Sequence, residues 1–295
     1  MRTNQRRSAT DEGGRRRDRS RPPAPEPLPY PVTDTHCHLD IADADDGDEL
    51  TVGDALAAAA AVNVTRIVQV GCDLPSSTWA VAAAERYPSV VATVAVHPNE
   101  APGLAEQGRL DDALAEIDRL AGSSPRVRGV GETGLDHFRT GPDGRAAQEA
   151  SFRAHAEIAR QRELALVIHD RDAHDDVLRV LNDVETPERV VFHCFSGNET
   201  MARDVAERGW FLSFAGPVTF KNAAELRAAL AVTPLENVLV ETDAPFLTPH
   251  PFRGRPNASY LVPVTVRVVA EVLGVDLGTV CQALRSNAER AFGAW

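Results

Sequence analysis

The amino-acid sequence predicts an α/β fold, a (β/α)8 or TIM barrel, on three observations. Eight short β-branched runs recur along the chain, each is followed by a segment with helical periodicity, and the series spans about 265 residues, close to the roughly 250 usual for such a barrel. In order the runs are "VTDTHCHL", "RIVQVG", "VVATVAVH", "RVRGVGETGLD", "LALVIHD", "RVVFHCFS", "WFLSFAG" and "NVLVETDAP". Valine, isoleucine and phenylalanine dominate them, as buried parallel strands require. Between them lie Ala-, Glu- and Arg-rich stretches such as "LTVGDALAAAAAVN", "AAQEASFRAHAEIARQRE" and "NAAELRAALAVT", whose apolar residues recur at helical spacing. An open doubly wound sheet would carry a glycine-rich phosphate turn after its first strand; "HCHLDIAD" stands there instead.

Composition bounds the rest. The 295 residues, 43% hydrophobic, can bury one large core. No apolar run approaches the roughly 20 residues needed to cross a bilayer, so the sequence reads as a soluble protein. Cys37, Cys72, Cys194 and Cys281 are far apart and form no C-x-x-C pair, which fits a reducing cytoplasm better than a disulfide framework or zinc ribbon. The net charge of −12 is unevenly spread: residues 1–29 hold eight arginines against four acids, leaving about −16 on residues 30–295. That Arg- and Pro-rich stretch has almost no large apolar residue before Leu28 and reads as a disordered tail outside the 30–295 domain. Its paired arginines are not followed by the apolar run of an export signal.

Polar residues cluster at the strand ends, where a barrel places its chemistry. His36 and His38 end the first run, His97 the third, Glu132 the fourth, His169 the fifth, His193 the sixth and Asp243 the eighth. Side chains two apart on a strand share a face, so His36 and His38 point together and Cys37 points away. H-x-H on a strand is compatible with a ligand pair or with two incidental polar residues; the other strand-end donors favour the ligand pair. His97, before Pro98, reads as a substrate contact. Glu132 and Asp243 interrupt apolar strands and need a cation or a donor as partner. Glu241 reads as a structural pairing residue and Cys194 as core.

Mixed imidazole and carboxylate donors suit zinc, manganese or a related divalent ion, and a carboxylate can bridge two ions about 3.5 to 4 Å apart. Two such ions activate water and clamp a phosphoryl or acyl centre, with Asp243 as general base. Neither a G-x-S-x-G elbow nor a P-loop is present. Some barrel hydrolases bridge their ions through a carboxylated lysine on the fourth strand; the single lysine, Lys221, follows the seventh run, and Glu132 stands at the bridging position.

"TDTHCHLD", "AVHP", "GETGLD", "IHDRDAHDD", "HCFSG" and "ETDAPFL", followed by "RPNASY" and "NAERAF", resemble the successive signatures of the TatD family of metal-dependent deoxyribonucleases, in the amidohydrolase superfamily. The resemblance covers roughly residues 31–293. It implies a TIM barrel with two divalent ions, Mg, Mn or Zn. His36, His38, Glu132 and Asp243 would hold one and Glu132, His169 and His193 the other, with Glu132 as bridge and His97 beside the substrate phosphate. One departure is visible: Asn257-Ala258-Ser259 stands where the family often has N-E-P.

The acidic body repels a long polyanion, so the expected substrate is a DNA end or short single-stranded segment, cleaved as a 3′ to 5′ exonuclease or phosphodiesterase. Arg139, Arg145, Arg253 and Arg255 lie in loops expected to rim the cup, with Arg253 and Arg255 as the leading phosphate contacts. A small-molecule metallohydrolase acting on an amide, lactone or phosphoester is the alternative on the same scaffold. A non-catalytic binding protein would not need the full donor set. No membrane and no obligate protein partner are expected.

Overall fold

The computed structural model describes residues 20–41 and 50–295. Eight parallel strands run in sequential order: β1 (Val32–Cys37), β2 (Val64–Val70), β3 (Val90–Val94), β4 (Val127–Asp136), β5 (Ala165–Arg171), β6 (Val190–Phe192), β7 (Phe211–Phe214) and β8 (Val238–Val240). The sheet closes where β8 returns to β1. There the Asp243 N–H donates to the His36 carbonyl at 2.9 Å, the His38 N–H to the Ala244 carbonyl at 2.8 Å, and Cys37 bridges Ala244.

Among the described residues, ten α-helices alternate with or follow the strands. They are α1 (Val52–Ala61), α2 (Leu74–Arg86), α3 (Ala101–Glu106), α4 (Leu110–Ala121), α5 (Pro142–Gln161), α6 (His174–Asp183), α7 (Glu199–Glu207), α8 (Ala224–Val232), α9 (Val262–Leu273) and α10 (Leu277–Phe292). Local chemistry starts several of them: Thr51, Asp73, Asn198 and Asp276 accept backbone N–H groups in the first turns of α1, α2, α7 and α10.

Period-two alternation divides the core into two shells. Ile67, Val90, Ala92, Leu166, Ile168, Val190 and Phe192 face outward and pack under the helices. Val68, Val91, Ala165, Val167, Val191, Phe211 and Leu239 fill the barrel interior, with Ala288, Ala291 and Phe292 of α10 packed against them. Cys37 is fully buried in the outer shell, as the reading of "HCH" expects.

The expected tail requires a correction. Residues 1–19 lie outside the described residues, but from Ser20 the chain is held against the barrel rather than free. Leu28 is buried, its N–H donates to Val62 O and its carbonyl accepts Asn63 Nδ2 at 2.6 Å, near the start of β2. Farther up, Arg267 donates to Glu26 O, Tyr260 to Pro22 O and Arg255 to the carbonyls of Ser20 and Arg21. Arg21 then lines a groove with His38, Asp40, Ala244 and Asn257, beyond the C-terminal ends of β1 and β8. Composition alone cannot foresee this strap, because side chains far along the chain satisfy its carbonyls.

Candidate metal centre

Six side chains expected at the strand ends converge above the barrel interior. His36 Nε2 lies 3.4 Å from Glu132 Oε2 and 3.7 Å from Asp243 Oδ1, and His38 Nε2 lies 3.4 Å from the same Asp243 oxygen. On the other side, His169 Nδ1 and His193 Nε2 lie 2.5 and 2.8 Å from Glu132 Oε1. Glu132 is therefore the carboxylate that both histidine groups face. Donor atoms of His36, His38 and Glu132 lie within 4.8 Å of one another, as do those of His36, His193 and Asp243, and of His97, Glu132 and His169.

Glu132 reaches this position through a backbone irregularity. Strict alternation from the outward-facing Val130 would turn residue 132 outward too. The β4–β5 register instead advances three residues on β4, from Val130 to Thr133, against two on β5. One extra residue is a bulge, and it re-aims Glu132 into the mouth. Gly131, at φ +156°, makes this possible: a Cβ there would come within 2.5 Å of Val167 Cβ. Asp243 and Cys194, each next to this ring or in it, adopt left-handed φ values of +53° and +42°, a strain that surrounding hydrogen bonds must hold. Among those bonds, buried Asp34 accepts the Thr242 N–H at 2.9 Å and its hydroxyl at 2.6 Å.

Hydrogen-bond partners fix the imidazole tautomers. His193 Nδ1 faces Glu241 Oε1 at 3.1 Å, a contact that would keep a proton on that nitrogen and leave Nε2, beside Glu132, free to bind an ion. Glu241 thus takes the pairing role expected of it, and it also accepts the Cys194 N–H. His97 is reversed: the Asn99 N–H donates to Nδ1 at 3.0 Å, which leaves the proton of the neutral ring on Nε2, 3.4 Å from Glu132 Oε1. His97 is thereby a hydrogen-bond donor to the site. Burial lowers its pKa and keeps the ring neutral.

The donors fit a cation. Both nitrogens of fully buried His36 have no hydrogen-bond partner among the described residues. Buried lone pairs without a donor are costly, and a positive ion among them removes the deficit. Burial alone would raise the Glu132 carboxyl, but His193, His97 and His169 hold it well below the usual range. Asp243 is likewise lowered against burial, by His38, His36 and His193. Both carboxylates are therefore ionised near neutral pH.

The arginines expected at the rim divide. Arg255 is corrected: its guanidinium is engaged with Ser20 and Arg21 of the strap, so it positions the chain's own backbone rather than standing ready for phosphate. Arg253 is exposed and lies over the Phe220 ring at 5.0 Å, while Arg139 is exposed on the β4–α5 connection and Arg145 in the first turn of α5. The altered Asn257-Ala258-Ser259 stretch keeps one tie to the site: Asn257 Nδ2 donates to Thr242 O at 2.9 Å. Two residues escaped the sequence reading. Cys72 Sγ lies 3.7 Å from Glu132 Oε2 and 3.9 Å from His38 Nδ1, and Asp136 Oδ2 lies 3.3 Å from His169 Nε2. Both end a predicted strand run or follow it directly, which is the signal that could have found them.

A parallel eight-stranded barrel with imidazole and carboxylate donors over its C-terminal strand ends defines a class, the metal-dependent barrel hydrolases. Comparison with known proteins narrows it: residues 33–293 match the family model described as TatD related DNase, and the chain belongs to that family. It is 44% identical over 250 residues to an uncharacterized metal-dependent hydrolase TatD of Mycobacterium tuberculosis, covering 83% of this chain and 92% of that one. A Cronobacter sakazakii protein named 3′-5′ ssDNA/RNA exonuclease TatD is 34% identical over 253 residues, covering 84% and 92%. The crystal structure of the TatD homologue YjjV from Escherichia coli K12 superposes with a TM-score of 0.80 at 27% identity, over 90% of this chain and 98% of that one. The protein is a TatD-family metal-dependent hydrolase. No helix among the described residues is long and apolar enough to cross a membrane.

Proposed function

We propose that the protein hydrolyses phosphodiester bonds of nucleic acid, removing nucleotides from single-stranded 3′ ends, with two divalent ions of the Mg, Mn or Zn type. The observation that carries the reading is the shared position of Glu132 between two groups of histidines. In this reading His36, His38, Glu132 and Asp243 hold one ion, and Glu132, His169 and His193 hold the other. A divalent ion in such a site polarises a phosphoryl oxygen and lowers the pKa of water. The Asp243 carboxylate accepts the proton of the attacking water. His97 donates from Nε2 to a phosphate oxygen and orients it. Support for nucleic acid comes from the family and from the relative named as an exonuclease. Support for a strand end comes from the body's charge of about −16, which opposes binding along a duplex.

Incubation with single-stranded DNA labelled at either end, under Mg²⁺, Mn²⁺ or Zn²⁺, tests this. Progressive shortening from the 3′ end is expected, and Asp243→Asn is expected to lower the rate about 10²- to 10⁴-fold. Equal rates in both proteins would overturn the mechanism. Hydrolysis of a simple phosphoester, amide or lactone with no release of nucleotide would replace the substrate reading with a small-molecule one.

A further inference from the structure

Phe138 is 63% exposed, the most exposed large hydrophobic side chain among the described residues. It is not a loose ring on a loop. The guanidinium carbon of Arg171 sits 3.9 Å from its centroid, so one ring face rests on a cation. The turn that carries it is pinned on both sides: the His137 N–H donates to Arg171 O at 2.9 Å, and the Arg139 N–H donates to Asp136 Oδ1 at 2.8 Å. Its place is equally defined. Asp136 pairs in register with Arg171, as Gly134 does with His169, so Arg171 stands two residues beyond the histidine on β5 and Phe138 two residues past the end of β4. Asp136 itself lies 3.3 Å from His169 Nε2, which joins the turn to the donor ring.

We infer that Phe138, backed by Arg171, is a stacking platform at the rim of the mouth that takes one base of a single-stranded nucleic acid. The inference rests on the nucleic-acid reading above and names a contact for it. An aromatic face accepts any base and carries no charge, so it holds a strand where an acidic body gives the phosphates little attraction. Arg171 beneath the ring and exposed Arg139 beside it bring positive charge to the same spot.

The test compares the steady-state kinetics of the metal-loaded wild type, Phe138→Ala and Phe138→Trp on a short single-stranded oligonucleotide. A matched series, each with one abasic residue near the 3′ end, completes it. Phe138→Ala is expected to raise KM about tenfold with kcat retained, and Phe138→Trp to restore it. At one position the abasic residue should cost the wild type a similar factor and cost Phe138→Ala nothing more. Unchanged KM in Phe138→Ala, a fall in kcat that Phe138→Trp does not restore, or additive losses at every abasic position would overturn the platform. Wild-type protein that hydrolyses bis-p-nitrophenyl phosphate but no oligonucleotide would overturn the substrate reading itself, and the platform with it.

Discussion

The two sides of the donor ring are built differently. On the β1–β8 side, His36, His38 and Asp243 are set by main-chain bonds across the barrel seam, with buried Asp34 holding Thr242 and Asn257 reaching the Thr242 carbonyl. On the β4–β5 side, Glu132 and His169 are set by a bulge and by Asp136, which also accepts Asn99 Nδ2 at 2.9 Å and the N–H of exposed Arg139. One side is fixed by groups that water cannot reach, the other by a polar network that leads out to the rim. The difference teaches how rigidity is divided: the seam is held by buried groups, whereas the β4–β5 side depends on a network that reaches exposed Arg139.

Breaking the seam should have the largest effect on stability. Asp34→Ala leaves the Thr242 N–H and hydroxyl buried without their acceptor, which costs about 2 to 5 kcal/mol for two such groups. Urea unfolding would show it as a lower midpoint, and an unchanged midpoint would mean that the seam is held otherwise.

The opposite flank can be probed by pH, through His155 on α5. Its Nε2 accepts the Val96 N–H at 3.0 Å and its Nδ1 contacts Ser151 O at 2.7 Å, so the ring is neutral; burial lowers its pKa from 6.5 to about 4. The unfolded chain takes up this proton first as the pH falls. The contribution is therefore present above pH 6.5 and is lost between 6.5 and 4, a change of about 3 kcal/mol. Asp34 titrates in the other direction, since burial raises its carboxyl to about 6. The His155 share is thus read as the wild type minus His155→Gln, by unfolding at pH 7 and pH 4; a difference that does not change with pH would refute it.

Asp136→Asn sharpens the contrast from the open side. It removes a charge beside His169 while keeping the side-chain shape, so metal affinity should fall about 10- to 100-fold with little loss of stability. Titration of metal into the protein, beside a thermal melt of the apoprotein, separates the two readouts. The smallest effect belongs to Arg255→Ala, which frees the carbonyls of Ser20 and Arg21 at a cost of about 1 kcal/mol. Faster proteolytic removal of the segment before Leu28 would report it, with the barrel intact.

Much of this was legible in the sequence, for definable reasons. The eight runs are buried on both faces, so their apolar character survives any detail of packing. His36 and His38 were readable because alternation governs both, and it also sent Cys37 outward. Glu132 was placed at the right strand end, but its inward aim depends on a bulge that alternation cannot express. Arg255 and the strap were misread because backbone carbonyls leave no trace in composition, and their partners stand more than 200 residues away. Cys72 was passed over since its company, His38 and Glu132, exists only once β1, β2 and β4 lie side by side.

The course of the strap has a practical consequence for anyone handling the protein. It runs from Leu28 beside the start of β2 to Arg21 at the groove near His38, on the side of the barrel that carries the donor ring. The last residues go elsewhere: Trp295 donates to Ser89 O just ahead of β3, and Arg128 at the start of β4 holds the Ala294 carbonyl. An affinity tag or surface tether joined after Trp295 is therefore held at the starts of the strands, the opposite end of the barrel from the donor ring, and leaves that ring facing the solution.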